Sequence, residues 1–127
     1  MSYDADELHA LAELGYALAQ EGRHGEARIV WEGLALVNPS DEAPLRLLAL
    51  LARREQRHTD AVTLASAALE RGAGPALALL RAEAFLQVGR YGEALADLEW
   101  LLRERPGDES FLPVRRRALA LRARLRR

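Results

Sequence analysis

Apolar residues recur along this chain at intervals of three and four, the period of a helix that buries one stripe. The stripe runs through Leu11, Leu14 and Leu18, then Ala27, Trp31 and Leu34, then Leu45, Leu48 and Ala52. It resumes at Ala61, Ala65 and Ala68, at Ala82 and Phe85, and at Ala94, Leu98 and Leu101. Gly22, Pro39, Gly72, Gly89 and Pro106 fall between the stripes. Glycine closes helices, and proline prevents their continuation. Together these signals predict helices over about residues 5–21, 24–37, 42–54, 58–71, 75–88, 91–104 and 109–125. Asp4 or Ser2 is placed to cap the first helix and Ser40 or Asp41 the third. Pro44 is admissible only in a first turn.

The stripes repeat. Arg23-His24-Gly25-Glu26-Ala27, Arg57-His58-Thr59-Asp60-Ala61 and Arg90-Tyr91-Gly92-Glu93-Ala94 align as Arg, a ring, any residue, an acid and Ala. The Ala positions are 34 and 33 residues apart, and Pro39 and Pro106 are separated by 67. A fixed period of this length marks an array of helical hairpins.

On these residues the chain resembles the tetratricopeptide repeat family. In the first repeat, Leu11, Leu14, Gly15 and Leu18 match the first-helix signature, and Ala27, Trp31, Leu34 and Pro39 match the second helix and its turn. In the third, Ala82, Phe85, Ala94, Leu98, Leu101 and Pro106 match. The second is degenerate: Leu45, Leu48, Ala49, Ala52, Ala61, Ala65 and Ala68 fit, but its closing proline is displaced to Pro75. The resemblance implies an all-α fold in one domain, 1–127. That fold is a right-handed α-solenoid of three repeats, about 8–41, 42–74 and 75–108, with a capping helix at about 109–125. Gly15, Ala49 and Ala82 would let the first helix of each repeat approach the second closely, and Ala27, Ala61 and Ala94 would accept the neighbouring helix in return. Overpacking such a site costs ~1–3 kcal/mol. In the capping helix, Leu112, Leu119 and Leu121 are expected to pack on the third repeat while the arginines face water.

In this family the first helices of successive repeats line a concave groove. Carried over, that implies a client-binding surface made of Tyr16 from the first repeat, Arg46, Leu47, Leu50, Arg53 and Arg54 from the second, and Leu79, Leu80, Glu83 and Leu86 from the third. Five leucines make this wall more apolar than solvent favours, and a contiguous apolar patch marks an interaction site. The flanking arginines are placed to pair with carboxylates or carbonyls of a guest. The alternative is that some of these leucines pack on the C-terminal helix. A clamp for a terminal carboxylate, built in some relatives from Lys and Asn, is disfavoured: the chain has no Lys, and its one Asn, Asn38, lies in a turn.

A narrower resemblance runs from Leu14-Gly15-Tyr16 through Gly22-Arg23-His24-Gly25-Glu26-Ala27-Arg28 to Trp31-Glu32-Gly33-Leu34. It is similar to the first repeat of small type III secretion chaperones, the translocator and needle-subunit chaperones. That resemblance implies a protein or peptide client whose hydrophobic segment is held in the groove. The short N-terminal extension departs from the larger translocator chaperones. Two alternatives stand beside it: a scaffold that self-associates as a homo-oligomer through the groove leucines or the outer helix faces, and anion or nucleic-acid binding through the C-terminal helix.

Composition narrows the chemistry. Half of the 127 residues are hydrophobic and only 6% aromatic. There is no Cys, which removes disulfide frameworks, thiolate metal sites and cysteine nucleophiles. No apolar run approaches the ~20 residues of a membrane span, and the acidic start does not read as a secretory signal, so the expectation is cytoplasmic. His24 and His58 occupy one repeat position, held by Tyr91 in the third repeat, and read as packing residues; His9 reads as a surface residue. No helical metal spacing, nucleophile elbow or phosphate loop is present. The chain is therefore read as a non-enzyme with no cofactor and no metal.

Charge adds one asymmetry. Residues 113–127 carry seven Arg and no acid, while the other 112 residues hold 11 Arg against 19 acids, a net of −8. The tail could meet phosphates, but no aromatic residue follows Phe111 to stack on bases. A solvated cap whose arginines complement its own C-terminal dipole and the acidic body is the simpler reading. Nucleic acid and membrane are disfavoured as partners.

Overall fold

The computed structural model describes residues 3–103 and 111–126. Ser2 and Pro106, and residues 109 and 110 of the expected seventh helix, lie outside them. Seven helices follow in order: α1 Ala5–Gln20, α2 His24–Val37, α3 Glu42–Arg54, α4 His58–Glu70, α5 Pro75–Gln87, α6 Tyr91–Arg103 and α7 Leu112–Leu125. Among the described residues there is no strand. Each helix packs chiefly on its neighbours in sequence, so three hairpins stack as an α-solenoid.

Local chemistry fixes the ends. Asp4 Oδ1 accepts from the Glu7 backbone N–H at 2.8 Å while Glu7 reaches back to the Asp4 N–H, a reciprocal cap. Asp41 caps α3 by accepting from the Ala43 N–H. The first helix of each hairpin closes in the left-handed region at equivalent places: Gly22 (φ 79°), Gln56 (φ 59°) and Gly89 (φ 80°). Arg23, Arg57 and Arg90 then donate backbone N–H groups to Leu18, Ala52 and Phe85, the six-to-one bond of a Schellman closure.

The same three arginines explain the repeated pentapeptide. Arg23 bonds Glu26, Arg57 bonds Asp60 and Arg90 bonds Glu93, each three residues on. The acid sits in the first turn of the second helix, where the dipole favours a negative charge. Its hydrogen bond from Arg23 holds the Glu26 carboxyl below the ordinary carboxylate range.

The core is three overlapping clusters. Trp31, Leu34 and Leu18 of the first hairpin meet Leu48 and Leu51 of α3. Ala49, Ala52, Ala61 and Ala65 meet Leu77, Leu80 and Phe85. Ala78, Ala82, Leu98 and Leu101 meet Phe111, Ala118 and Leu121 of the final helix and its start. Ala27, Ala49, Ala61, Ala82 and Ala94 are fully buried, and Gly15 lies against Trp31.

The final helix presents a different stripe from the one expected. Leu121 is buried, but Leu112 and Leu119 are exposed at 51% and 40%. The packed stripe is Phe111, Val114, Ala118, Leu121 and Leu125, spaced three and four apart; Leu112 and Leu119 each stand one position off it. One buried ion pair also lies outside what the sequence suggested. Arg81 of α5 donates to both oxygens of Asp97 of α6 at 2.8 and 2.7 Å and to Ser66 Oγ at 3.2 Å. Hydrogen bonding to the carboxylate raises the Arg81 guanidinium above its ordinary range.

Candidate binding trough

The first helices of the first two repeats, α1 and α3, stand beside each other with α2 behind them. Between them lies an open cavity of about 600 Å³ lined by Tyr16, Ala19, His24, Trp31, Leu47, Leu50, Leu51, Arg53 and Arg54. A second cavity of about 210 Å³ continues it toward the start of α3, lined by Leu8, His9, Ala12, Leu34, Asn38 and Pro44 among others. Tyr16 and Leu47 line both, so the two adjoin along one trough.

The floor follows from helical spacing. Leu47, Leu50 and Leu51 are three and four residues apart on α3, and Tyr16 and Ala19 are three apart on α1. Tyr16 is held edge-on to the Trp31 indole, with ring centroids 6.4 Å apart and planes at 74°, a favourable aromatic geometry. Trp31 Nε1 is buried without a hydrogen-bond partner. Arg53 and Arg54 are exposed at one mouth, and among the described residues neither pairs with a carboxylate. The trough is therefore an apolar channel with an uncompensated cationic mouth.

Of the residues expected in a groove, the structure brings Tyr16, Leu47, Leu50, Arg53 and Arg54 together. Arg46 stands apart, its Nε on Glu42 Oε2 at 3.0 Å. Leu79 and Leu86 are half-buried against the cluster formed with α7. Glu83 and Leu86 line a separate cavity of about 330 Å³ with Arg117, Leu121 and Arg124 of α7. Leu80 is not a groove residue: it is 2% exposed, inside the middle cluster with Leu77 and Phe85. The open trough thus lies on the first two repeats, because α7 covers part of the third.

Sequence reasoning missed Ala19, His24, Trp31 and Leu51 as lining residues of the cavity of about 600 Å³. By its repeat position Trp31 is a hairpin-core residue, and its ring is large enough to serve both the core and the trough. His24 opens α2 half-buried and faces the trough. Tyr91, its counterpart in the third repeat, is 60% exposed and lines the α7 cavity, so the shared packing role expected of this position does not extend to Tyr91.

No family model and no curated protein sequence matches the chain. Solved structures do. The Yersinia enterocolitica type III secretion chaperone SycD, in complex with a peptide of the translocator YopD, aligns at TM-score 0.87 and 19% identity over 97% of this chain and 95% of that one. PcrH from Pseudomonas aeruginosa aligns at TM-score 0.80 and 22% identity over 99% and 96%. The chain has the fold of SycD and PcrH. The N-terminal domain of stress-induced protein-1 from C. elegans shares it as well, at TM-score 0.73 and 18% identity over 91% and 98%. The same solenoid fold thus occurs in a secretion chaperone and in a stress-induced protein, and a shared fold does not by itself fix a function.

Proposed function

We propose that the chain is a cytoplasmic chaperone of the type III secretion kind, which holds a hydrophobic segment of a client polypeptide in the trough between α1 and α3. The observation that carries this reading is the open channel of about 600 Å³ with Leu47, Leu50 and Tyr16 on its walls. A monomer gains nothing by leaving such a surface to water, since each exposed apolar Å² costs about 25 cal/mol. Its likeness in fold to a chaperone solved with a translocator peptide supports the same reading. No described helix is long and apolar enough to cross a membrane, and no catalytic step belongs to the proposal.

The C-terminal arginines favour no rival. Arg115 donates to the Leu102 carbonyl, Arg117 approaches Glu83, and Arg122 and Arg126 both reach Glu99. Four of the tail's seven cations are engaged by the body they cap.

The test is client capture by Leu47→Asp plus Leu50→Asp. Both side chains are only half-buried, so the double variant should keep its helical spectrum and lose at least tenfold in client affinity. Substituting the buried Leu80 would unfold the second and third repeats and say nothing about binding. Undiminished capture by the folded variant would remove the trough from the account.

A further inference from the structure

Nine arginines precede residue 100. Seven of them donate side-chain hydrogen bonds to an acid or a backbone carbonyl. Among the described residues, the two that do not are Arg53 and Arg54, adjacent in the chain, exposed, and both on the wall of the trough. They lie in the last turn of α3, where a cation suits the helix dipole. The helix does not require them there, because α1 and α5, its equivalents in the other repeats, end without a basic residue. Counting by the repeat period, position 53 corresponds to Ala19 and Leu86, and position 54 to Gln20 and Gln87. Two registers that are neutral elsewhere in the solenoid are cationic where the large cavity opens.

Their surroundings leave the charge unanswered. No carboxylate lines the larger cavity, whose other walls are aromatic rings, Ala19 and leucines. A cation beside an apolar wall is screened less than one in open water, so a carboxylate brought to it gains more. The chain's overall field works the other way. Residues 1–112 carry a net charge of −8, which repels an acidic guest at long range. Attraction for such a guest at this mouth must come from Arg53 and Arg54 themselves.

The spacing sets what fits. Leu47, Leu50 and Arg54 stand three and four residues apart on α3, so apolar contacts and cation share one face within about 10 Å of helix. An extended guest advances about 3.3 Å per residue and covers that length in about three residues. Resting on the chaperone reading above, we propose that the trough selects a client segment of mixed character. Its apolar side chains lie against Leu47 and Leu50, and one or two acidic residues about three positions along meet Arg53 and Arg54. A guanidinium fork takes a carboxylate in two parallel hydrogen bonds. The leucines hold the segment, and the arginines choose it and fix its register, the usual division between burial and charge complementarity.

Titration calorimetry of the full chain tests the selection with three peptides blocked at both ends. Each is an alternation of leucine and serine; one carries two glutamates before it, one carries two glutamates after it, and one carries two glutamines instead. One of the glutamate peptides should bind about fivefold more tightly than the glutamine peptide at ~0.05 M salt, and the preference should fade by ~0.5 M. Arg53→Gln plus Arg54→Gln should abolish the preference and leave the affinity for the glutamine peptide unchanged. Both side chains are exposed, and glutamine already stands at the place of Arg54 in the other repeats, so this variant keeps the fold. Arg53→Glu plus Arg54→Glu should invert the order of the peptides. Equal affinities for all three, or a preference that outlasts the glutamine substitutions, overturn the proposal and leave the trough standing. No binding of any peptide at about 1 mM removes the chaperone reading of the trough together with it.

Discussion

A methyl group on the Cα of Gly15 would overlap Nε1 of Trp31 and stand 2.8 Å from its Cδ1. The Nε1 side of the indole lies against the one first-helix position that carries no side chain, so the pair limits the spacing of the first hairpin's helices. The other hairpins solve the same contact with different sizes. The equivalent positions hold Ala49 and Ala65 in the second repeat and Ala82 and Leu98 in the third, each pair buried in one cluster. The smallest residue accompanies the largest.

That relationship predicts a compensating pair of substitutions. Gly15→Ala alone should destabilise by about 1–3 kcal/mol, because the added methyl overlaps the buried indole and forces it to shift. Trp31→Leu alone should lose about 2–4 kcal/mol through the cavity it leaves. The double variant recreates the third repeat's combination, so its loss should fall short of the summed single losses by at least 1 kcal/mol. Urea unfolding of the four proteins checks this, and strict additivity would show that the two residues do not share one space.

Gln56 offers a stabilising change. Its φ of 59° places it in the left-handed region, where the equivalent closures use Gly22 and Gly89. A residue with a Cβ pays about 1–2 kcal/mol there, against about 0.5–1 kcal/mol of extra chain entropy for glycine. Gln56→Gly should therefore raise stability by about 0.5–1 kcal/mol, a rise of a few degrees in the thermal midpoint of a domain this size. Gly22→Ala should move it the other way. A lower midpoint for Gln56→Gly would mean that the side chain makes a contact worth more than the strain.

Helix ends and repeat register were legible in the sequence because they depend on local properties: a glycine that takes positive φ, a proline that lacks an N–H, and an acid three residues after an arginine. Burial on α5 was not. That helix is flanked by α4, α6, α3 and α7, so Leu77, Leu80, Ala84 and Phe85 are all buried and a single-stripe reading puts Leu80 on the wrong side. The Arg81–Asp97 pair did leave a signal. Counting back by the repeat period, Arg81 stands where Leu48 and Leu14 stand, and Asp97 where Leu64 and Val30 stand. Two charges in two apolar registers of one hairpin point to each other, and only the in-register comparison reveals it. The trough itself was half legible, since its walls follow from repeat positions, while its confinement to two repeats follows from how α7 docks.

The docking of α7 makes a last prediction, about the arginine-rich tail. Glu83 and Glu99 receive Arg117, Arg122 and Arg126, so much of the tail's charge is spent within the molecule. These pairs are part-exposed, with Glu83 and Glu99 side chains 31% and 30% accessible. Removing them should then cost stability no more than about 1 kcal/mol each. What should change is the affinity for polyanions. Every cation freed to meet a phosphate or sulfate adds about one counterion to the salt dependence of binding. Glu83→Gln plus Glu99→Gln should thus elute from immobilised heparin at higher salt than the wild type, with a steeper dependence on salt and an unaltered helical spectrum. The two lost negative charges alone shift elution without steepening the slope. An equal slope for both proteins would mean that the acids do not hold the tail, and that its arginines were free from the start.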